Sequence, residues 1–352
     1  MNRIAIGVIF GGCSTEYDVS LSSASAVIEH LNRDKYEAVL IGITQDGRWY
    51  RYYGDVDAIR SDSWHAQPNE QPQSASRPHV VPALLSPGRD RQGLIELVGT
   101  EYRFTPLDVV FPVLHGRNGE DGTLQGLLEL SGIPFVGCGS LSSAVCMDKV
   151  TAKTIVAAAG IGVPPYVAVR SGEDLEKAAT AAVTLGYPLY VKPARSGSSI
   201  GIVKAYDRTE LIRGLIGALQ HDDKAIVERH VDGAELGCAI AGNRGNLATG
   251  TIDEIELSGE FFDYEEKYSL ATSAIHLPAR IAPQTADDAR RLALRIYELL
   301  GCRGMARVDL FRTRDGGLLF NEVNTIPGFT PRSRYPRMME AAGIGFPELL
   351  DR

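Results

Sequence analysis

Arg307-Val308-Asp309, then Asn321-Glu322-Val323-Asn324, then Thr325-Ile326-Pro327-Gly328-Phe329: these segments near the end of the chain decide its fold. Val308, Leu310 and Phe311, and then Leu318, Leu319, Phe320 and Val323, are apolar or β-branched, so two strands are expected. Asp315-Gly316-Gly317 between them is a turn signal, which makes the pair a hairpin. A hairpin brings Asp309, Glu322 and Asn324 together as three oxygen ligands beside Arg307. Glu322 and Asn324 are two apart and share a face. Such a set suits a hard cation, Mg²⁺, held by few protein ligands and completed by phosphate oxygens. A polar sheet face with a surface Asp–Arg pair has the same pattern; the Thr-Ile-Pro-Gly loop directly after the strand favours the cation.

Upstream of the hairpin, Ala225-Ile226-Val227-Glu228 reads as a strand, Asp232-Gly233 as a turn, and a further strand carries Glu235. Tyr187 to Pro193 is a strand bearing Lys192. The small-residue loop Ala194 to Gly201 and a short strand, Ile202-Val203-Lys204, follow it. The loop lacks G-x-x-x-x-G-K-[ST] and no helix follows, so it is not a P-loop. It suits a flap whose backbone N–H groups cover phosphates, and equally a plain hairpin loop. Val150 to Ala159 is expected to be helical. At the other end, residues 4–10 form an all-apolar strand, Gly11-Gly12 a turn, Val19 to Leu31 an amphipathic helix, and Tyr36 to Ile43 a second strand. This β-α-β opening predicts a doubly wound, parallel-sheet first domain. Asp108 to Leu114 is another buried strand, ending in His115-Gly116. The carboxyl ends of such strands, Gly11 to Asp18 and His115 to Asp121, are candidate substrate crevices. Ser61 to Pro82, polar and rich in Pro, Gln and Ser, reads as a surface excursion without chemistry. The expected units are 1–138, 139–228 and 229–352.

A length of 352 residues exceeds one typical core. With 44% hydrophobic and 23% charged residues the composition is that of an ordinary soluble protein. A formal net charge of −8 argues against nucleic acid or an anionic membrane as partner. No apolar run reaches the length of a membrane span, and the apolar N-terminal stretch is better read as a buried strand than as a signal segment. Five scattered cysteines without C-x-x-C fit reduced thiols in a cytoplasmic protein, without zinc or a disulfide framework.

The order of parts resembles the D-alanine–D-alanine ligases of the ATP-grasp superfamily, including their vancomycin-resistance relatives. The likeness is carried by Gly11-Gly12-Cys13-Ser14-Thr15-Glu16, by His115-Gly116 through Glu120-Asp121-Gly122, by Met147-Asp148-Lys149 and by Lys192-Pro193-Ala194-Arg195-Ser196-Gly197-Ser198-Ser199. Arg307-Val308-Asp309 and Asn321 to Phe329 complete it. It spans essentially the whole chain and is weak over 50–95. It implies an α/β and α+β ATP-grasp fold, with ATP clamped between the second and third units. Lys149 and Lys192 would neutralise ATP phosphates, with Ser198 and Ser199 in the flap. Glu228 and the backbone from Arg229 to Val231 would meet the adenine, and Glu235 the ribose. Asp309, Glu322 and Asn324 would bind two Mg²⁺, or Mn²⁺ in their place. Arg307 and the Gly328 N–H would stabilise the developing oxyanion. Glu16 would hold the ammonium of the first D-alanine. His115 would lie near that substrate's carboxylate, or simply cap a strand end.

The implied reaction passes through an acyl phosphate, which needs a lid against water. Phe261 to Tyr268 sits where the family has its lid, and Tyr268 would link with Ser198 and Glu16; a strand-edge Tyr is the alternative. No covalent catalyst is required, in keeping with the lack of a Ser-His-Asp or Cys-His arrangement. Lys267-Tyr268, in place of the His of lactate-using members, resembles the peptide-forming enzymes. After Ser333 stands Arg334, where ordinary members carry an apolar residue, and Phe262 precedes the lid Asp. Both resemble the resistance ligases that accept D-serine, unless Arg334 points outward to an acidic neighbour. D-Alanyl-D-alanine for peptidoglycan synthesis is the expected product, ahead of D-alanyl-D-serine and vancomycin resistance, made by a cytoplasmic homodimer. Another ATP-grasp carboxylate–amine ligase would lack the Gly-Gly-Cys-Ser-x-Glu opening. An NAD-dependent dehydrogenase would need G-x-G-x-x-G, which Gly11-Gly12-Cys13 does not supply.

Overall fold

The computed structural model describes residues 3–65, 79–197, 201–257 and 273–352. The first strand, β1 (Ile4–Gly11), is buried from Ile6 onward. A strand covered on both faces has no need to alternate polar and apolar residues. It pairs in parallel with β2 (Tyr36–Ile43) through the crossover helix Tyr17–His30, and in parallel with β7 (Val109–Pro112). That helix starts two residues before the expected Val19. Tyr17 opens its apolar stripe and continues to Leu21, Ala24 and Ile28, all buried.

The parallel portion is thus β2–β1–β7, and the sheet then extends as an antiparallel meander. Its strands are β3 (Trp49–Tyr52), β4 (Val80–Leu85), β5 (Gly93–Val98) and β6 (Glu101–Pro106), giving the order β6-β5-β4-β3-β2-β1-β7. Two parts of the supposed surface excursion belong to the core. Trp64 is buried, with its ring 5.0 Å from Phe10, and β4 begins at Val80 with Val81, Ala83 and Leu85 turned inward. A Cβ on Gly42 would lie 2.3 Å from the Trp64 ring, so only glycine fits beneath the indole.

The second sheet is antiparallel, in the order β10-β9-β11-β8. It comprises β8 (Tyr166–Arg170), β9 (Leu189–Pro193), β10 (Val203–Ala205) and β11 (Lys224–Arg229). The third contains β12 (Gly233–Asn243), β13 (Asn246–Thr249), β14 (Asp253–Leu257), β15 (Ser273–His276), β16 (Gly304–Thr313) and β17 (Leu318–Asn324). Its order is β15-β14-β12-β16-β17, with β13 on β12.

The hairpin of β16 and β17 sets Asp309 opposite Glu322 and Arg307 opposite Asn324. Between them the register slips. Leu310 pairs with Phe320, which leaves Asn321 as one extra residue on β17. Phe320 and Val323, three apart, would face opposite sides of a regular strand. The bulge lets both enter the same core and turns Glu322 to the other face. A continuous apolar cluster also joins the first sheet to the end of the chain. Phe10, Val113 and Phe111 share it with Ile326, Phe329, Tyr335 and Met338, and the Phe111 and Phe329 rings are 5.6 Å apart.

Candidate active site

Between the second and third sheets lies a cavity of about 180 Å³. On β9, Leu189, Val191 and Pro193 are buried in the core, so Tyr190 and Lys192 alternate onto the cavity face. Lys192 Nζ is 2.6 Å from Glu228 Oε2 on the neighbouring β11. Burial alone would raise the Glu228 carboxyl. The flanking Lys153 and Lys192 outweigh it and hold the group down at about 2. Glu228 Oε1 is buried against the Lys153 ammonium, 2.9 Å away. Tyr190, Met147 and Phe311 line the same cavity as apolar surface. A flat heteroaromatic ring with an exocyclic amine suits this end.

At the other end Lys149 opens the helix Lys149–Ala158, which Asp148 caps by accepting from Thr151 N at 2.9 Å. Lys149 Nζ donates to the Ser196 carbonyl at 2.8 Å and lies 3.4 Å from Glu322 Oε2. The expected oxygen ligands are together. Asn324 Nδ2 donates to Asp309 Oδ2 at 3.0 Å, and Arg307 grips Asp309 through Nε at 2.8 Å and Nη2 at 2.7 Å. Burial works against the Arg307 charge, but Asp309 raises it further. No cluster of three His, Cys, Asp or Glu able to hold a metal forms among the described residues. The set nevertheless fits a hard cation taking two carboxylates, one amide oxygen and oxygens from a phosphate.

The wall toward the first sheet is built around Glu16, His115 and the loop after β17. Glu16 is buried just before the helix Tyr17–His30. Gly116 has φ +68, and a Cβ there would stand 2.6 Å from Glu16 Oε2; at Gly197 it would stand 2.5 Å away. Both glycines therefore let backbone close on that carboxylate. The His115 ring is held on both sides by the protein. Its Nδ1 donates to the Ile326 carbonyl at 2.9 Å, and its Nε2 faces Ser23 Oγ at 3.2 Å. Both ring nitrogens are spent within the protein, and burial pulls the ring toward its neutral form.

Glu120 was in a quoted motif but had no assigned role. It accepts from Gly116 N at 2.9 Å and from Ile326 N at 3.1 Å. Burial, and then the charge of Glu16, push its carboxyl up to about 7. Ser23 Oγ also accepts from Phe329 N at 3.2 Å. The Gly328 loop is thus held by three side chains of the first unit.

Ser333 Oγ accepts from Thr330 N at 3.1 Å and closes the turn after Gly328. Arg334 turns inward. Its Nε and Nη2 each donate to Asp253 at 2.8 Å, and Nη1 lies 3.6 Å from Glu235 Oε1. Nη2 is also 3.6 Å from Asp309 Oδ1. Arg229, Val231 and Glu235 line the cavity as expected. Ser198, Ser199, Phe262, Lys267 and Tyr268 lie outside the described residues. Lys153, Ser23, Glu120 and Asp253 had no assigned role in the sequence. Glu120 lies in the His115 to Gly122 motif and Lys153 stands four residues from Lys149 on one helix face, whereas Ser23 and Asp253 carried no signal.

Residues 5–138 match the family described as D-ala D-ala ligase N-terminus, and residues 155–352 the one described as D-ala D-ala ligase C-terminus. The chain is 43% identical to the vancomycin B-type resistance protein VanB of Enterococcus faecalis, over 100% of this chain and 97% of that protein. It is 44% identical to a D-alanine–D-alanine ligase of Thermoanaerobacter sp., over 100% and 95%. Among solved structures, the VanG D-Ala:D-Ser ligase of Enterococcus faecalis superposes with TM-score 0.89 at 47% identity, covering 99% of this chain and 98% of that one. The D-alanine–D-alanine ligase of Coxiella burnetii gives 0.85 at 32% identity, covering 100% and 92%.

Proposed function

The chain belongs to the D-alanine–D-alanine ligase family, and from that premise we propose that it joins two D-amino acids in an ATP-dependent reaction, with D-alanyl-D-alanine as product. Its sheets form the ATP-grasp fold of its structural neighbours. One observation carries the reading: Lys149, Lys192 and Glu228 face Glu322 and Asn324 across a single cavity. Cationic groups for phosphates, a carboxylate beside an apolar wall for a base and an oxygen set for a cation fit ATP in one orientation.

In the proposed reaction the first D-alanine, its ammonium against Glu16, attacks the γ-phosphate of ATP through its carboxylate, and ADP departs as the bond from the γ-phosphorus to the β–γ bridging oxygen breaks. Lys149 and Lys192 take up phosphate charge as the acyl phosphate forms. Two Mg²⁺ ions held by Asp309, Glu322 and Asn324 would supply further neutralisation of phosphate oxygens. The amine of the second D-amino acid then attacks the acyl carbonyl. Arg307, steadied by Asp309, and the Gly328 N–H meet the oxyanion, and phosphate leaves. Ser333 lies beside that N–H, where the acceptor would bind. Ser198, Lys267 and Tyr268 are proposed to close over it. We further propose units over 1–138, 139–228 and 229–352 and a cytoplasmic homodimer acting on small molecules. No helix among the described residues is long and apolar enough to cross a membrane.

The test is phosphate release with a panel of D-amino acids, with the product identified by mass spectrometry. D-Alanine-dependent release with dipeptide formation is expected; no ligation with any D-amino acid would overturn the reading. A second reading, D-serine as acceptor, rests on Arg334: its guanidinium turns inward with Nε and Nη2 on Asp253, so only its remaining N–H groups could serve a hydroxyl, which a methyl cannot use. The 47% identity to a D-Ala:D-Ser ligase also favours it. With both acceptors at equal concentration, a D-serine preference abolished by Arg334→Leu would establish the second reading. A D-alanine preference unaffected by that change would dismiss it.

A further inference from the structure

One helical turn beyond Lys149, the Lys153 side chain is fully buried. Its ammonium donates to the carbonyl of Asn321 at 2.9 Å and of Phe320 at 3.3 Å, and lies 2.9 Å from Glu228 Oε1. A buried ammonium is costly, and a buried ion cluster replaced as a whole by apolar side chains often loses no stability. The placement of the charge therefore asks for a reason. The two carbonyls belong to the bulge, where Asn321 falls outside the paired register and the backbone needs other donors. The same bulge turns Glu322 to the cavity. On the far side of the ammonium stands Glu228, which lines the same cavity.

We propose that Lys153 is a positioning residue that ties the Glu228 carboxylate to the β17 bulge, fixing the base-binding end of the site at a set distance from the Glu322 end. This rests on the nucleotide reading above. Lys153 touches neither substrate nor cation; it acts through the carboxylate on one side and the peptide groups on the other. Partners that orient a metal-binding group from behind commonly change metal affinity by about 10–100-fold. A shift on that scale is expected here.

The test uses the full-length protein and the variants Lys153→Met, which keeps the bulk, and Lys153→Gln, which keeps a donor for the bulge. Mn²⁺ affinity in the presence of ADP is read from the free-ion signal in electron paramagnetic resonance, and KM for ATP and kcat are measured separately. Lys153→Met is expected to weaken Mn²⁺ binding about tenfold or more and to raise KM for ATP. The change in kcat at saturating ATP and Mg²⁺ should be smaller, and Lys153→Gln should fall between Met and wild type. If Lys153→Met does not fold, the Lys153→Gln shift in Mn²⁺ affinity decides. Variants that melt at lower temperature yet keep wild-type Mn²⁺ affinity and KM would overturn the proposal, leaving Lys153 a packing residue. Wild-type protein that binds neither ADP nor Mn²⁺ would overturn the nucleotide reading itself, and the proposal with it.

Discussion

Glu322 sits where three demands meet: it faces Asp309 across the hairpin, lies 3.4 Å from Lys149, and lines the cavity. Replacing it by Gln keeps the volume and removes the charge. Turnover at ordinary Mg²⁺ is expected to fall by roughly 10²-fold or more, the scale of losing one transition-state stabiliser; near-normal rates would remove Glu322 from the site. Glu120 gives a pH prediction. Its carboxyl is raised from 4.5 to about 7 in the folded chain, so the folded state holds its proton more tightly than the unfolded one. Its contribution is fully present below the unfolded value and is lost as pH rises through the folded one. Glu120→Gln should therefore flatten the decline in melting temperature between about pH 5 and 7, and an unchanged pH slope would contradict this. Lys192, Glu228, Asp309 and Glu322 were legible in the sequence because strand alternation and recognisable motifs place them. Lys153 and Glu120 were not. What each does depends on a carbonyl or N–H more than 150 residues away, at Phe320, Asn321 or Ile326.

The hairpin of β16 and β17 was readable almost whole, since Asp-Gly-Gly marks its turn and apolar runs mark both strands. The bulge was readable only from the odd spacing of Phe320 and Val323, a parity that a strand without it could not satisfy. The meander β3–β6 escaped because β4 starts inside a polar segment and Trp64 is separated from its core partners Phe10 and Tyr52. The helix Lys149–Ala158 carries a different kind of dependence. Asp148 caps its first turn and forms a largely buried ion pair with Lys224. Asp148→Ala removes the cap and strands that lysine, at a cost on the order of 2 kcal/mol. A lower melting temperature together with a higher KM for ATP is expected, because Lys149 begins the same turn. Unchanged stability would mean that the cap contributes nothing.

At the scale of the molecule, the cavity lies between two sheets while the Gly328 loop leans on a third. A ligand that bridges the first two should therefore stabilise the whole. ADP with Mg²⁺ at about 100 times its Kd is expected to add about 2.7 kcal/mol, read as a rise in melting temperature that grows with ligand concentration. No shift at any concentration would speak against binding in the cavity. The grip on Ile326 also sets a clock. Its N–H is held by Glu120 and its carbonyl by His115, residues 206 and 211 positions earlier in the chain. At ordinary rates of synthesis that interval is about 10–40 s. The first sheet can form long before the peptide that His115 and Glu120 hold exists. During that interval a half-made chain carries a clamp with nothing in it, and the ligase site comes into being only when residues 325–329 leave the ribosome and dock.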